Sequence, residues 1–217
     1  MTDFAARRTM MVDTQVRPSD VTKFPIIDAM LSVPREEFVP DAKREAAYMG
    51  ENVDLGGGRV VLEPRTLAKM LDALDIQPDE MVLDLGCGLG YSAAVLAKLA
   101  DFVVAVESDE TMAADAQTGL SEFGADNVAV IAGDLADGNA KNGPYDVIMV
   151  QGAVEQIPTG LFDQLKDGGR MTAIFADGKL GTVRIGYKID GEMVWRHAFH
   201  AGAPVVAGFE ASRAFAL

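Results

Sequence analysis

Cysteine and histidine are scarce in this chain, and their scarcity limits the chemistry that it can carry out. Cys87 is the single cysteine among 217 residues, so no disulfide can form within the chain, which favours a reducing compartment. Cys87 lies between two glycines, where we interpret it as a small residue in a tight turn and not as a nucleophile. His197 and His200 lie in a segment predicted to be extended, where a spacing of three points them to opposite faces. We therefore expect no metal site.

Basic residues and long apolar runs are also few. The chain has 19 Lys and Arg against 33 Asp and Glu, a net charge of −14 at pH 7, and therefore lacks the cationic patches that bind nucleic-acid phosphates. No uninterrupted apolar run reaches the length of about 18 residues that a membrane span needs. Residues 1–15 lack the apolar core of a signal peptide. We expect a cytoplasmic protein that binds neither nucleic acid nor membrane; its oligomeric state is left open.

A glycine loop between a predicted strand and a predicted helix is the most informative feature that the chain contains. Residues 81–85 form a short apolar run typical of a buried strand, and a helix is predicted over residues 91–99. Between them, Gly86, Gly88 and Gly90 let the backbone turn sharply and approach a ligand closely. The free N–H groups at the start of the helix favour an anionic group. This unit predicts a nucleotide-type site.

The residues around the glycine loop (residues 86–90) distinguish between possible cofactors. The third glycine comes one residue earlier than in the dinucleotide fingerprint G-x-G-x-x-G, which disfavours the alternative, a nicotinamide dinucleotide. Asp84, Glu107 and Asp134 stand at the ends of three successive predicted strands, and the loop contains no lysine for a triphosphate. Three carboxylates suit a ribose, an adenine amine and an amino-acid tail, which are the groups of S-adenosylmethionine. The predicted cofactor-binding residues are Asp84, Gly86, Cys87, Gly88, Gly90, Glu107, Ser108, Asp134 and Leu135.

Two of these carboxylates receive specific predicted roles. Glu107 follows the second strand, where a carboxylate can accept both ribose hydroxyls through charge-assisted hydrogen bonds worth roughly 1.5–3 kcal/mol each. Asp134 is expected near the adenine.

The alternation of strand and helix patterns from residue 81 onwards predicts the fold. After the first strand and helix, strands are predicted over residues 102–106, 128–132, 145–150 and 171–175, and a helix over residues 110–123. Such alternation indicates a parallel, doubly wound sheet with its ligand at the carboxyl ends of the strands. Asp190-Gly191 separates two extended runs and is a hairpin signal, and the tail around Phe215 is also expected to be extended.

We expect one α/β, Rossmann-like domain over residues 1–217, with a doubly wound, seven-stranded, mostly parallel sheet. Its predicted parts are an N-terminal helical cap with a following loop in residues 1–80, and the cofactor-binding core in residues 81–217. Helices are predicted over residues 2–16, ahead of Pro18, and over residues 21–33, and a glycine-rich loop over residues 54–59. The cap in residues 2–48 is expected to cover the cofactor cleft.

Three segments together resemble the protein-L-isoaspartate O-methyltransferase family. Residues 82–91 resemble its cofactor loop, and residues 34–40 with Ala47-Tyr48 resemble a second family segment. The third match is Ile157-Pro158 followed by Leu161, Gln164-Leu165 and Gly168-Gly169. The resemblance implies an S-adenosylmethionine-dependent enzyme that esterifies the α-carboxyl of isoaspartyl residues in damaged proteins, with a protein or peptide as its substrate.

The segment before Pro64, which we call the acceptor loop (residues 60–65), departs from the family pattern. The family carries a Thr-Ile-Ser-type stretch there, whose hydroxyl is regarded as positioning the acceptor carboxylate; Leu62 stands in its place. Glu63 adds a negative charge, which Arg65 either neutralises by pairing or leaves unopposed as a solvated residue. Leu135 also replaces a glycine common in the family. Leu62 and Arg65 are therefore the predicted catalytic positions, and three functions stay open: weak isoaspartyl repair, methylation of another acceptor, and non-catalytic cofactor binding that acts through partners.

Overall fold

The computed structural model describes residues 3–178 and 180–211, which contain two β-sheets. Their helices are α1 (Phe4–Met11), α2 (Phe24–Ser32), α3 (Pro64–Leu74), α4 (Tyr91–Ala97), α5 (Glu110–Phe123) and α6 (Thr159–Asp163). Their strands are β1 (Val53–Gly56), β2 (Arg59–Val61), β3 (Met81–Leu85), β4 (Phe102–Glu107), β5 (Val128–Ala132), β6 (Tyr145–Val154), β7 (Leu165–Asp177), β8 (Leu180–Ile189) and β9 (Glu192–Ala201). Short helical turns cover Val12–Val16, Arg17–Ser19, Arg35–Phe38, Asp41–Ala46, Leu135–Asp137 and Ala140–Asn142.

The larger sheet has seven strands in the order β5-β4-β3-β6-β7-β8-β9. The five strands from β5 to β7 are parallel, and β8 and β9 add antiparallel pairs at one edge. The prediction of a seven-stranded, mostly parallel sheet is confirmed. Because parallel strands end at the same edge, Asp84 in β3 and Glu107 at the end of β4 are brought to one side of the sheet.

Both faces of the sheet are covered, which explains the nearly continuous apolar sequence of β3, β4 and β6. One face packs against the N-terminal helices and α3 to α5; in α3, residues Leu67, Met70, Leu71 and Leu74 are buried at helical spacing. The opposite face carries a second cluster that includes Leu135, Leu161, Val206 and Phe209.

The N-terminal helices differ from their predicted bounds at their ends. α1 stops at Met11 and continues as a π-helix and a 3-10 turn that ends just beyond Pro18, which cannot continue a helix. The second helix begins at Phe24 and not at residue 21, with Pro25 in its first turn, where proline is tolerated. Across the described ranges, no helix is both long and apolar enough to cross a membrane.

A β-hairpin, which we call the β1–β2 hairpin (residues 53–61), replaces the loop expected over residues 54–59. Val53 pairs with Val61 and Asp54 with Val60 in antiparallel register. Three successive glycines make the turn, and all have positive φ angles of 87°, 58° and 77° at Gly56, Gly57 and Gly58. This left-handed run explains why the sequence has three glycines here.

The C-terminal hairpin contains a bulge that corrects the expected placement of the histidines. Asp190 and Gly191, with φ angles of 52° and 82°, form the predicted turn between β8 and β9. Further along β9, Val183 pairs with Phe199 but Arg184 pairs with His197, so one extra residue is inserted. The bulge brings the His197 and His200 rings to within 5.1 Å between centroids, so the expectation of opposite faces was wrong. The extended character expected around residue 215 lies outside the described residues.

Candidate active site

The glycine loop adopts the sharply turned backbone that its sequence predicts. Gly86, Gly88 and Gly90 have φ angles of 82°, 57° and 99°, which favour glycine. A Cβ placed on Gly88 would lie 2.5 Å from Cδ1 of Leu55. Without a side chain, Gly88 allows Leu55 to approach its backbone closely. The atom that approaches it belongs to the chain itself, from the β1–β2 hairpin.

Asp84 is fully buried and is held between two neutral side chains. Ser92 Oγ donates to Asp84 Oδ2 at 2.6 Å, and Gln151 Nε2 donates to Asp84 Oδ1 at 2.7 Å. Burial raises the pKa of Asp84 to about 6, against the lowering effect of these hydrogen bonds.

Glu107 is fully buried at the end of β4 and pairs with a buried arginine. Arg59 Nε lies 3.0 Å from Glu107 Oε1, and Arg59 Nη2 donates to Ser108 Oγ at 2.7 Å. The backbone N–H groups of Gly88 and Ser108 also donate to the carboxylate, at 2.9 and 2.8 Å. Glu107, the residue predicted to bind the ribose, is therefore already paired with Arg59 of the same chain.

Asp134 and Leu135 flank the same edge of the sheet. Asp134 is exposed and precedes the helical turn Leu135–Asp137. Leu135 is buried, and its Cδ1 would lie 3.4 Å from a Cβ on Gly86. A carboxylate open to solvent beside an apolar wall is a suitable environment for an adenine and its amine.

The acceptor loop packs against the glycine loop. Leu62 is 2% exposed, and it lines a cavity of about 10 Å³ together with Cys87, Tyr91, Ser92 and Gln151. Such a volume holds about one water molecule. Burial raises the pKa of the Cys87 thiol well above its usual range, so this cysteine stays protonated and is not an activated nucleophile.

The two charged residues of the acceptor loop lie at the start of α3. The Glu63 carboxylate accepts a hydrogen bond of 2.6 Å from Thr66 Oγ1. Arg65 Nη1 lies 3.8 Å from Glu63 Oε1, and the Arg65 side chain is 46% exposed. Arg65 is thus close enough for a loose ion pair of the kind proposed from the sequence, and solvent screens that pair.

The cover over the glycine loop comes from a different segment than expected. Residues 2–48 were expected to cover the cofactor cleft, but at the glycine loop it is Leu55 and Arg59 of the β1–β2 hairpin that lie over the site. The cap packs on the helices instead, where the Phe38 ring lies 6.2 Å from the Tyr91 ring and 6.1 Å from that of Phe123.

Comparison with known proteins places the chain in a family. A family model described as Protein-L-isoaspartate(D-aspartate) O-methyltransferase (PCMT) matches residues 7–198. This chain belongs to that family. A protein-L-isoaspartate O-methyltransferase from Koribacter versatilis (strain Ellin345) is 40% identical over 171 residues, covering 79% of this chain and 77% of that protein. One from Syntrophus aciditrophicus (strain SB) is 39% identical over 171 residues, covering 79% and 78%.

Solved structures of similar fold agree with this family membership. One titled protein-L-isoaspartate O-methyltransferase is 26% identical with a TM-score of 0.81, covering 93% of this chain and 66% of that chain. A putative family member from Plasmodium falciparum, in complex with S-adenosyl-L-homocysteine, has a TM-score of 0.78 at 17% identity, covering 94% and 98%, which shows the shared fold. As a PCMT family member, the chain is an S-adenosylmethionine-dependent methyltransferase, and the predicted enzyme class and cofactor are confirmed.

The donor set of the site fits this cofactor in its chemistry. Asp134 presents an exposed carboxylate, Leu135 an apolar wall, and the glycine loop a close backbone approach. In the described conformation, however, the hairpin fills the space beside Glu107. A larger cavity of about 530 Å³ lies elsewhere, lined by residues such as Leu71, Pro78 and Leu99, and none of the predicted cofactor residues lines it.

Four residues of the site were not predicted from the sequence. Arg35, Arg59, Ser92 and Gln151 all contact predicted residues or their backbone. Arg59 follows the three glycines of the hairpin, and Ser92 lies in the first turn of the helix after the glycine loop. Their nearness to these motifs in the sequence is a weak indication that they belong to the site. Gln151 is distant from Asp84 along the chain and carried none.

The raised pKa of Asp84 predicts a pH-dependent contribution to stability. Its carboxyl ionises near pH 6 in the folded protein, above its usual value of 3.8, so the folded state binds more protons between these values. The contribution therefore falls as pH rises through this window, by on the order of 3 kcal/mol. We expect Asp84→Asn, which cannot ionise, to gain stability relative to the parent protein as pH rises from about 4 to about 7. Denaturant unfolding of both proteins measures the difference; a difference independent of pH would contradict this prediction.

Proposed function

We propose that this chain methylates the α-carboxyl of isoaspartyl residues in proteins. The observation that carries the proposal is the match of residues 7–198 to the PCMT family model, together with the geometry of the acceptor loop. Glu63 is the residue of the acceptor loop that most disfavours this substrate, because its negative charge repels a carboxylate. Its carboxylate is bound by Thr66 and lies near Arg65, so part of that repulsion is offset.

The proposed roles of the cofactor residues follow from their positions. Glu107 accepts the ribose hydroxyls, Asp134 lies near the adenine amine, and Asp84, held by Ser92 and Gln151, stabilises the positive charge of the amino-acid tail. When bound, S-adenosylmethionine supplies an electrophilic methyl group on its sulfonium sulfur.

The acceptor chemistry places few demands on the protein. A carboxyl acceptor has a pKa near 4, so it is ionised at pH 7 and needs no general base. Asp84 is hydrogen-bonded on both oxygens and Cys87 stays protonated, so neither offers a free base at the cavity. The protein's contribution is to align the acceptor and exclude water. This matches a site walled by apolar side chains such as Leu62.

Labelled methyl transfer tests the proposed function directly. The protein is given methyl-labelled cofactor with an isoaspartyl peptide, with the matched aspartyl peptide as control, and in parallel with whole-cell lysate. Base-labile label on the isoaspartyl peptide, with none on the aspartyl peptide, supports the proposal. Label in the lysate without label on the peptide would indicate another acceptor. Absence of label in both, with cofactor binding intact, would indicate a non-catalytic protein.

Leu62→Ser is expected to raise isoaspartyl methylation about tenfold if one positioning hydrogen bond is restored. Because Leu62 is buried, truncation also leaves a cavity that costs about 2–5 kcal/mol of unfolding free energy. Leu62→Ala is the matched control, since it leaves a similar cavity without a hydroxyl. The comparison is made by initial rates at a temperature where both variants are folded. Equal rates for the Ser and Ala variants would mean that the acceptor site has diverged beyond this residue.

A further inference from the structure

The Glu107 carboxylate has no capacity left for a ribose in the described conformation. Oε1 accepts from Arg59 Nε at 3.0 Å, Ser108 N at 2.8 Å, Asp109 N at 3.2 Å and Ser108 Oγ at 3.5 Å. Oε2 accepts from Gly88 N at 2.9 Å and again from Arg59 Nε at 3.3 Å. A carboxylate offers about four lone-pair sites. The three backbone N–H donors belong to the fold, and the Ser108 hydroxyl donates only at a long distance. Arg59 therefore occupies the position on this carboxylate that a ribose diol would take.

The hairpin that carries Arg59 also closes the approach to the glycine loop. Leu55 packs so closely over Gly88 that a Cβ there would lie 2.5 Å from Leu55 Cδ1. Arg59 itself is 4% exposed, and its Nη2 reaches Ser108, another predicted cofactor residue. One aliphatic and one cationic side chain thus stand where the glycine loop and the ribose acceptor would receive the cofactor.

The three glycines in the turn of the hairpin do not pack against the rest of the described chain. A Cβ on Gly56, Gly57 or Gly58 would meet no atom of the described chain within 4 Å. The first strand is tied to the cap by an exposed ion pair, Lys43 Nζ to Asp54 Oδ2 at 2.9 Å, which contributes little in solvent. The buried Arg59–Glu107 pair is therefore the strong electrostatic attachment of the hairpin to the core.

We propose that Arg59 is an internal competitor of the cofactor, and that the β1–β2 hairpin closes the site until the Arg59–Glu107 ion pair opens. The proposal rests on the proposed assignment of Glu107 to the ribose. Cofactor then binds only the open fraction of the protein, and its apparent affinity is reduced by that fraction. Weakening the ion pair enlarges the open fraction and tightens binding, although it removes a contact from the folded protein.

Arg59→Gln tests this competition by calorimetric titration with S-adenosyl-L-homocysteine and by melting temperature. We expect the variant to bind about tenfold more tightly than the parent. This factor corresponds to the loss of about one charge-assisted hydrogen bond that holds the hairpin closed. We also expect a lower melting temperature without ligand and a larger increase when ligand is added. Arg17→Gln is the matched control, since Arg17 pairs with Asp13 at 3.1 Å in an exposed position. Unchanged or weaker binding by Arg59→Gln would overturn the proposal.

Two further variants keep the test decisive. Leu55→Ala removes the packing over Gly88 without touching a charge, and it should also tighten binding, by a smaller factor; if Arg59→Gln does not fold, unchanged binding by Leu55→Ala overturns the proposal. Arg59→Gln/Glu107→Gln tests the assignment of the ribose acceptor in a protein without the competitor. Weaker binding than Arg59→Gln alone supports that assignment, whereas equal binding removes it and the competition with it. If the double variant binds more weakly while Arg59→Gln fails to bind more tightly than the parent, the assignment stands and the competition fails.

Discussion

Glu107→Ala is expected to lower the free energy of unfolding by about 3–5 kcal/mol, the usual effect of removing one partner from a buried ion pair. The variant leaves the Arg59 guanidinium 4% exposed without its carboxylate and deprives Gly88 N and Ser108 N of their acceptor. Denaturant unfolding at neutral pH measures the loss. A loss below about 1 kcal/mol would mean that the pair is solvated in solution.

A second variant separates two costs of removing Glu107: the unpaired charge of Arg59 and the lost hydrogen bonds. Arg59→Gln/Glu107→Ala has no unpaired charge, so it should be more stable than Glu107→Ala alone, giving a coupling energy of about 1–3 kcal/mol. In the Arg59→Gln background, loss of Glu107 should also weaken cofactor binding by at least about 1.5 kcal/mol, because the ribose loses its acceptor. Binding that is independent of residue 107 in this background would remove its proposed role.

Arg35→Met is expected to cost about 2–4 kcal/mol of unfolding free energy. Arg35 is fully buried, its Nε donates to Ala47 O at 2.6 Å, and its Nη2 donates to Leu62 O at 2.8 Å. Methionine fills similar space but leaves both buried carbonyls without a donor, each at about 1–3 kcal/mol. Part of this loss is offset, because methionine does not carry the desolvation cost of the buried guanidinium. That cost is visible in Arg35, whose pKa is lowered by burial.

The effect of Arg35→Met on activity identifies what the arginine positions. Because Leu62 belongs to the acceptor loop, we expect the variant to lower the methylation rate more than it lowers cofactor affinity. Arg44→Met is the matched control: Arg44 Nε also donates to a backbone carbonyl, Glu36 O at 3.0 Å, but its side chain is 44% exposed. We expect that control to change stability by about 1 kcal/mol or less. Equal losses for the two variants would contradict a special role for Arg35.

Local sequence patterns predict the order of the strands and helices and the position of the cofactor loop. The glycine loop, the acids at the strand ends and the Asp190-Gly191 turn depend on local backbone geometry and on the two-residue period of strands, both of which are readable over a few residues. Helix α5 and strands β3 and β5 accordingly have their predicted bounds of Glu110–Phe123, Met81–Leu85 and Val128–Ala132. Family membership was likewise predictable from short segments, because they carry the family's motifs in order.

Contacts between residues far apart in the sequence control which groups the site residues bind, and these contacts could not be predicted. Arg59 reaches Glu107 across 48 positions and Gln151 reaches Asp84 across 67, and no local pattern reports such pairings. The shift in the pKa of Asp84 arises from burial by several elements at once, and the bulge that brings His197 to His200 depends on the register with β8. Local rules specify which groups are present, whereas burial and long-range contacts decide which of them remain available to a ligand. Glu107 illustrates the distinction: the sequence predicts a carboxylate that binds the ribose, and the fold pairs that carboxylate with Arg59.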